Sequence, residues 1–404
     1  MQVKNMKKSH FSALACFVLS AIFLPAAFGN HRTGSEALPE LLVAGDLNED
    51  GNLDLAVNVT GFDNIAILTG NGLGAFTLNG HIATDTLPKG LAAGDLNRDH
   101  HIDLVDCTNW GYDAEVHLGD GLGGFGTRDY LARGEGGPNR TILADFNNDR
   151  KLDCAVNGPD EGVILVYLGD GKGGFLLPPS ELEDLRHCDG FAAADLNGDG
   201  KQDIAVVTHG NQNNLVHIFL GDGTGNFNTG AEISITQDAT TLAPGDLNND
   251  GKMDLVVAGA GPENANGNFV QTLLGDGTGN FTLKQTTFLG KGNTKGLIAL
   301  ADFNEDGKLD LAFPFTSDQI AHQPSTRVLI FLGDGTGNLV EGATVTAEEE
   351  PHTVIAADLN KDGHLDLAVS NRTSGTVSIH LGNGTGNFTK VASVSVVCEG
   401  GVCE

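Results

Sequence analysis

The sequence predicts an all-β chain folded as a seven-bladed β-propeller with four antiparallel strands in each blade. Three observations predict it. A nine-residue acidic pattern returns seven times along the 404 residues, at steps of 49, 50, 50, 51, 56 and 56. Each copy is followed by a β-rich run and then a glycine turn. No stretch shows helical periodicity of useful length.

The acidic pattern reads Asp-x-Asn-x-Asp-Gly-x-x-Asp and opens at Asp46, Asp95, Asp145, Asp195, Asp246, Asp302 and Asp358. The glycine turns fall at 70–76, 119–125, 169–175, 221–227, 275–281, 333–339 and 382–388, six ending in Phe and one in Leu339. The fourth unit shows how the strands fit between them. Strand A covers 191–194 and enters the acidic loop, B covers 203–207, C covers 215–220 and enters the glycine turn, and D follows Phe227. Short apolar runs bounded by Gly, Asn and Asp are strand-and-turn signals. Four strands in about 50 residues make one propeller blade, and seven blades close a ring; an elongated solenoid would need a far shorter repeat.

The first residues read differently. Lys4, Lys7 and Lys8 precede an apolar run from Phe11 to Phe28, and Ala27-Phe28-Gly29 offers small residues before a polar stretch. This is the pattern of a cleaved secretory signal over 1–29, too short for a membrane span. A lipoprotein site at Cys16 is rejected, because Ala13 stands where the pattern wants Leu. The propeller is then expected over 30–397, secreted or periplasmic, with a tail over 398–404. Five cysteines remain after the leader, an odd number that argues against a full disulfide framework. Cys398 and Cys403 either close a small loop or stay free thiols.

The formal charge of −30 falls to −33 when the leader takes three lysines and no acids with it. Such a charge repels nucleic acid and anionic membranes, and it strains a compact fold unless a cation offsets it.

The acidic loops supply the offset. Calcium takes six to eight hard oxygens from a tightly turned loop. Positions 1, 3, 5 and 9 offer side-chain oxygens, and position 7 offers its carbonyl. In the first loop the set is Asp46, Asn48, Asp50, Asn52 and Asp54. The second offers Asp95, Asn97, Asp99 and Asp103, and the third Asp145, Asn147, Asp149 and Asp153. The fourth has Asp195, Asn197, Asp199, Lys201 and Asp203, and the fifth Asp246, Asn248, Asp250, Lys252 and Asp254. The sixth has Asp302, Asn304, Asp306, Lys308 and Asp310, and the seventh Asp358, Asn360, Asp362, His364 and Asp366. An EF-hand is excluded, since position 12 is Val57, Asp106, Val156, Val206, Val257, Phe313 or Val369 rather than Glu. A metal-free Asx-turn hairpin would leave three carboxylates per loop uncompensated. Up to seven Ca²⁺ are therefore expected. Position 6 needs a positive φ, so the loops with His100 and Arg150 there should be the weakest. The glycine turns read as tight hairpins whose Phe packs between blades, not as a second metal site.

Asp195 to Asp203 with the turn Gly-Asp-Gly-Thr-Gly-Asn-Phe at 221–227 resembles the FG-GAP, or VCBS, repeat family. That family includes the seven-bladed head of integrin α chains and many bacterial secreted proteins. The resemblance covers about 38 to 395 and implies a calcium-binding propeller serving interaction or adhesion.

Acidic loops and glycine turns share one face of such a ring, and the non-repeating B-to-C and D-to-A connections lie on the other. Function in a propeller usually sits on such variable loops. Trp110, Tyr112, Arg133 and Arg140 are the candidate partner-binding residues there; aromatic rings with arginine are common anchors, although Trp110 could equally plug a gap between blades. No nucleophile triad or zinc spacing is present, which favours a non-catalytic module. A monomer with an unknown protein or glycan partner on the variable face is expected. The alternative is a secreted hydrolase or lyase acting on polysaccharide or phospholipid from the variable face.

Overall fold

The computed structural model describes residues 37–108, 113–131, 137–158, 162–185, 187–209, 214–236, 238–260, 267–292, 294, 296–315 and 325–397. The chain divides into Met1–Ser35, outside this set, and Glu36–Glu404. The expected leader, Trp110, Tyr112, Arg133 and the Cys398–Cys403 segment all lie outside the described residues.

Twenty-eight strands form seven four-stranded antiparallel sheets, each built from consecutive strands A to D of one repeat. In the fourth blade the strands run Cys188–Ala194, Asp203–Thr208, Leu215–Gly221 and Phe227–Ser234. Strand A thus starts three residues before the apolar run that marks it in the sequence. Among the described residues, no helix is long and apolar enough to cross a membrane.

Strand B is buried along its whole length in every blade. Its Val, Leu, Ile and Ala side chains reach both neighbouring blades, so the alternation of a half-exposed strand is missing and the run reads as continuously apolar. Strand D shows the opposite pattern: no residue of Phe388–Ser395 is fully buried, and Thr389, Lys390, Ser393 and Ser395 are among the exposed ones. Polar and charged side chains on this outer edge discourage pairing with another chain.

The cores lie between blades rather than within them. Leu42, Leu55 and Val57 of the first blade pack with Ala368, Val377 and Ile379 of the seventh, which closes the ring. Leu41, Ile65 and Ile67 of the first pack with Leu91 and Leu104 of the second. Cys107, Cys154 and Cys188 sit in these cores as free thiols, and burial pushes the Cys154 and Cys188 thiols up to about 12. At neutral pH they behave as small hydrophobes.

Candidate metal loops and the channel mouth

Each acidic loop is wound by its own backbone amides. In the fourth, Asp195 Oδ1 accepts the amides of Gly198 (2.8 Å) and Asp199 (3.0 Å), and Oδ2 accepts that of Gly200 (2.8 Å). Asn197 Oδ1 accepts the Asp199 amide (2.9 Å), and Asp199 Oδ1 accepts that of Lys201 (3.0 Å). These bonds draw the side chains at positions 1, 3 and 5 to the inside of one turn. The turn requires left-handed backbone at positions 4 and 6, met by Gly198 (φ 75°) and Gly200 (φ 80°). His100 and Arg150 hold the same conformation at φ 76° and 65°, which strains a residue with a Cβ.

The position 9 aspartate has a second task that the spacing did not reveal. Asp203 Oδ2 accepts the Leu196 amide (2.9 Å), and Oδ1 accepts that of Gly221, the first residue of the glycine turn (2.8 Å). Asp54, Asp103, Asp153, Asp254, Asp310 and Asp366 make the same pair of bonds. A buried carboxylate therefore clasps the two repeated turns of every blade together. Burial raises each of these carboxyls, and the carboxylates at positions 5 and 1 raise it further; Asp153 reaches about 6. Three carboxylates that repel one another across one turn form a donor set suited to a hard divalent cation. In the first loop Asp46 Oδ1 is buried with no hydrogen-bond partner, an oxygen left open for such a ligand.

Position 7 also differs from its reading as a bare carbonyl. The ammonium groups of Lys151, Lys201 and Lys308 lie 2.8, 3.1 and 2.9 Å from Asp149, Asp199 and Asp306, and Lys252 lies 3.5 Å from Asp250. Beside it, the Lys308 ammonium lowers the Asp306 carboxyl. His101 and His364 instead reach to the preceding blade, to Glu49 and Glu305.

Neighbouring blades interlock on this face. The amides of Gly123, Gly173, Gly225, Gly337 and Gly386 in the glycine turns donate to the carbonyls of Leu47, Leu96, Phe146, Leu247 and Phe303 in the preceding acidic loops. The turn phenylalanine follows: Phe227 meets Phe146 edge-on at 5.6 Å, and Phe388 meets Phe303 at 5.5 Å. The turn carboxylates are occupied by amides, as at Asp276, where Thr278 and Asn280 bonds hold the group down at about 2.

Two further clusters bring together residues that the sequence did not join, one of them around the candidate Arg140. Asp106, Glu115 and His117 are fully buried in the second blade and bring their donor atoms within 4.8 Å of one another. Asp106 faces Glu115 across strands B and C, and His117 Nε2 lies 2.7 Å from Asp106. Glu115 accepts the Asp85 amide as Gln271 accepts that of Thr236 in the fifth blade. The available signal was Asp106 standing alone in a column of Val and Phe. The second cluster surrounds Arg140. Its Nε donates to the Asp189 carbonyl (3.2 Å), and its side chain lines an axial cavity with Glu40, Lys89 and His352.

A family model for FG-GAP-like repeats matches residues 43–105, 145–206, 195–257, 246–313 and 320–369, more than half of the chain. The chain belongs to the FG-GAP-like repeat family. Its matched segments span loops one, two and four to seven as well as the third loop at their start. A T-cell immunomodulatory protein homolog from Plasmodium yoelii yoelii is 26% identical over 257 residues, 57% of this chain. The match spans about a third of that relative's length (34%). Among solved structures, a protein from Lactobacillus plantarum superposes with a TM-score of 0.61 at 14% identity, covering 90% of this chain and 98% of that one. BBS1N in complex with ARL6DN gives 0.60 at 10%, covering 89% and 96%. An Agrocybe aegerita lectin specific for non-reducing terminal N-acetylglucosamine gives 0.54 at 16%, covering 83% and 86%. At these identities the likeness is one of fold.

Proposed function

We propose that this FG-GAP-like propeller is a secreted, calcium-loaded binding module without catalytic activity. The observation that carries the reading is the sevenfold return of three carboxylates and an asparagine oxygen around one wound turn. Positions 1, 3, 5 and 9 would hold the ion with the position 7 carbonyl. Seven divalent ions would move the expected mature charge of −33 to −19. They would also stiffen the face that locks blade to blade, leaving the opposite face to meet a protein or glycan. The lectin and the BBS1N complex support the reading by example: with a similar fold, one recognises non-reducing terminal N-acetylglucosamine and the other is in complex with ARL6DN.

The test has two parts. Elemental analysis of protein purified without chelator should find several calcium ions per chain. Affinity capture from the producing organism's surface fraction should then retain a partner in calcium and lose it in EDTA. Protein that carries no calcium and captures identically in EDTA would overturn the proposal.

A further inference from the structure

The residue six positions before each acidic loop holds one register around the propeller axis. In six blades it is polar and lines one cavity: Glu40, Lys89, Asn139, Asp189, Thr240 and His352. The sixth blade has Gly296, where a Cβ would stand 1.2 Å from the His352 carbonyl oxygen, so only glycine lets the two backbones approach. In five blades this register coincides with a slip in the pairing of strands A and B, between Pro39 and Leu42, Pro88 and Gly90, Cys188 and Gly190, Ala239 and Thr241, and Pro351 and Val354. A β-bulge re-aims the extra residue's side chain, and such bulges recur next to binding sites. Here five of them turn a side chain to the axis at one level.

The charge of the cavity runs against that of the chain. Overall, 23 Lys and Arg face 53 Asp and Glu. Among the described residues lining the cavity, three cations, Lys89, Arg140 and Arg372, meet two acids, Glu40 and Asp189. Both acids are engaged. Lys89 Nζ lies 2.6 and 2.7 Å from the two Glu40 oxygens, and Arg372 lies 3.5 Å from the same carboxylate. Asp189 pairs with His209 at 2.9 Å. Burial holds His352 neutral by lowering it to about 4, so it adds no charge near pH 7. Arg372 Nε is buried and has no hydrogen-bond acceptor. A buried N–H of a guanidinium calls for an acceptor, and an oxyanion satisfies guanidinium donors best.

We infer that this axial cavity, of about 260 Å³, binds a small oxyanion, a carboxylate or phosphate borne on a ligand of about monosaccharide size, with Arg372, Arg140 and Lys89 as its recognising groups. The inference deepens the binding-module reading by naming a ligand class. The cavity opens where the inner strands begin, on the face of the variable connections, so an anionic terminus of a larger partner can enter it. Glu40 positions Lys89 and Arg372 by bridging them, and Arg140 is braced by the Asp189 carbonyl.

The experiment titrates the calcium-loaded protein by calorimetry with glucuronate, inorganic phosphate and, as the neutral control, glucose. Saturable binding of glucuronate, of phosphate, or of both is expected, with none for glucose; which anion binds tells a sugar acid from a phosphate source. Arg372→Gln should weaken binding by about tenfold or more, the scale of one charge-assisted hydrogen bond, with Arg372→Lys falling between. Arg372 is partly exposed, so melting curves should show both variants folded; if either is not, Arg140→Gln repeats the measurement. Equal binding of glucose, no saturable binding of either anion, or anion binding unchanged in both arginine variants would overturn the inference. Calcium-dependent melting with no oxyanion binding would sink the cavity alone and leave the module reading standing.

Discussion

At one end of the propeller, seven aspartates from Asp54 to Asp366 accept the same two amides in the same geometry. At the other, the seven residues facing the axis are all different: Glu, Lys, Asn, Asp, Thr, Gly and His. Both sets stand in strict register with the repeat, six positions before the loop in one case and at its ninth position in the other. Register is therefore equally fixed at both ends, and only residue identity has been released at one. Where every blade must solve the same problem of winding a loop and locking to its neighbour, the residues repeat. Where seven strands jointly line one cavity, a sevenfold repeat of any charged residue would place seven like charges together, which electrostatics opposes. The asymmetric end is the one able to recognise a ligand that lacks sevenfold symmetry.

The contrast can be broken most forcefully by removing metal. At free calcium near ten times the dissociation constant, each site adds about 1.4 kcal/mol. Several sites together reach on the order of 10 kcal/mol, comparable with a whole domain's margin. EDTA should lower the melting temperature sharply, with magnesium a poor replacement, in a calorimetric scan. An unchanged scan would reduce the repeated end to amide bonding alone.

The amide clasp is separable from the metal. Asp203→Ala strands the Leu196 and Gly221 amides in a buried setting, at about 1–3 kcal/mol each. This loss should persist in EDTA, whereas that of Asp199→Ala, a proposed ligand exposed on the loop, should largely vanish there. Denaturant melts with and without chelator decide the point; equal behaviour of the two variants would show that position 9 has no structural task of its own.

Blade sameness is tested at His380: the corresponding strand C positions hold Leu68, Tyr167, Phe219, Leu273 and Phe331 in five blades, and the second blade holds His117, which is paired with Asp106. His380 is buried with Nδ1 unpartnered, and burial lowers it to about 4. The unfolded chain therefore binds a proton between about pH 6.5 and 4 that the folded chain refuses, and stability is lost as pH falls through that window. His380→Leu should melt higher than the natural protein at pH 5, by the equivalent of about 1–3 kcal/mol, with the gap shrinking toward pH 8. A gap independent of pH would show that packing, not protonation, sets it.

The smallest expected effect compares the third loop with the fourth. Arg150→Gly relieves a left-handed residue with a Cβ and should gain about 1 kcal/mol while tightening calcium at that loop. Asp149→Ala should cost less calcium-dependent stability than Asp199→Ala. Isothermal titration showing seven equivalent sites in the natural protein would remove the distinction.

Much of this was legible in the sequence, for a definite reason. Blade number, strand order and loop winding depend on residues within about ten positions of one another, and Asp195 to Asp203 carries that information locally. Arg140 was singled out from its place on a variable connection, and the structure puts it on the axis. The companions it meets there, Glu40 and His352, share a register six positions before their loops, but 312 residues separate them and the residue type differs in every blade, so the repeat did not mark the position. The Asp203–Gly221 bond was hidden for a related reason: an aspartate at metal-ligand spacing gave no sign that both oxygens were already held by amides. The lysine at position 7 was read for its carbonyl, and its ammonium pairs with the neighbouring position 5 carboxylate.

The chain passes once through each junction between consecutive blades, except the last. Among the described residues the first and seventh blades meet without a connecting segment, through the Leu42–Ile379 core, the Ser370 hydroxyl on the Glu40 carbonyl (2.7 Å) and His81 Nε2 beside the Val396 carbonyl (2.9 Å). Six junctions are hinges that stay tethered when they open. The seventh is a clasp, and drawn apart by its ends the ring unbuttons there, becoming an open chain of blades. Glu40 sits on that clasp and at the same time holds Lys89 and Arg372 in the axial cavity, so an occupant of the cavity would act as a pin through the fastening.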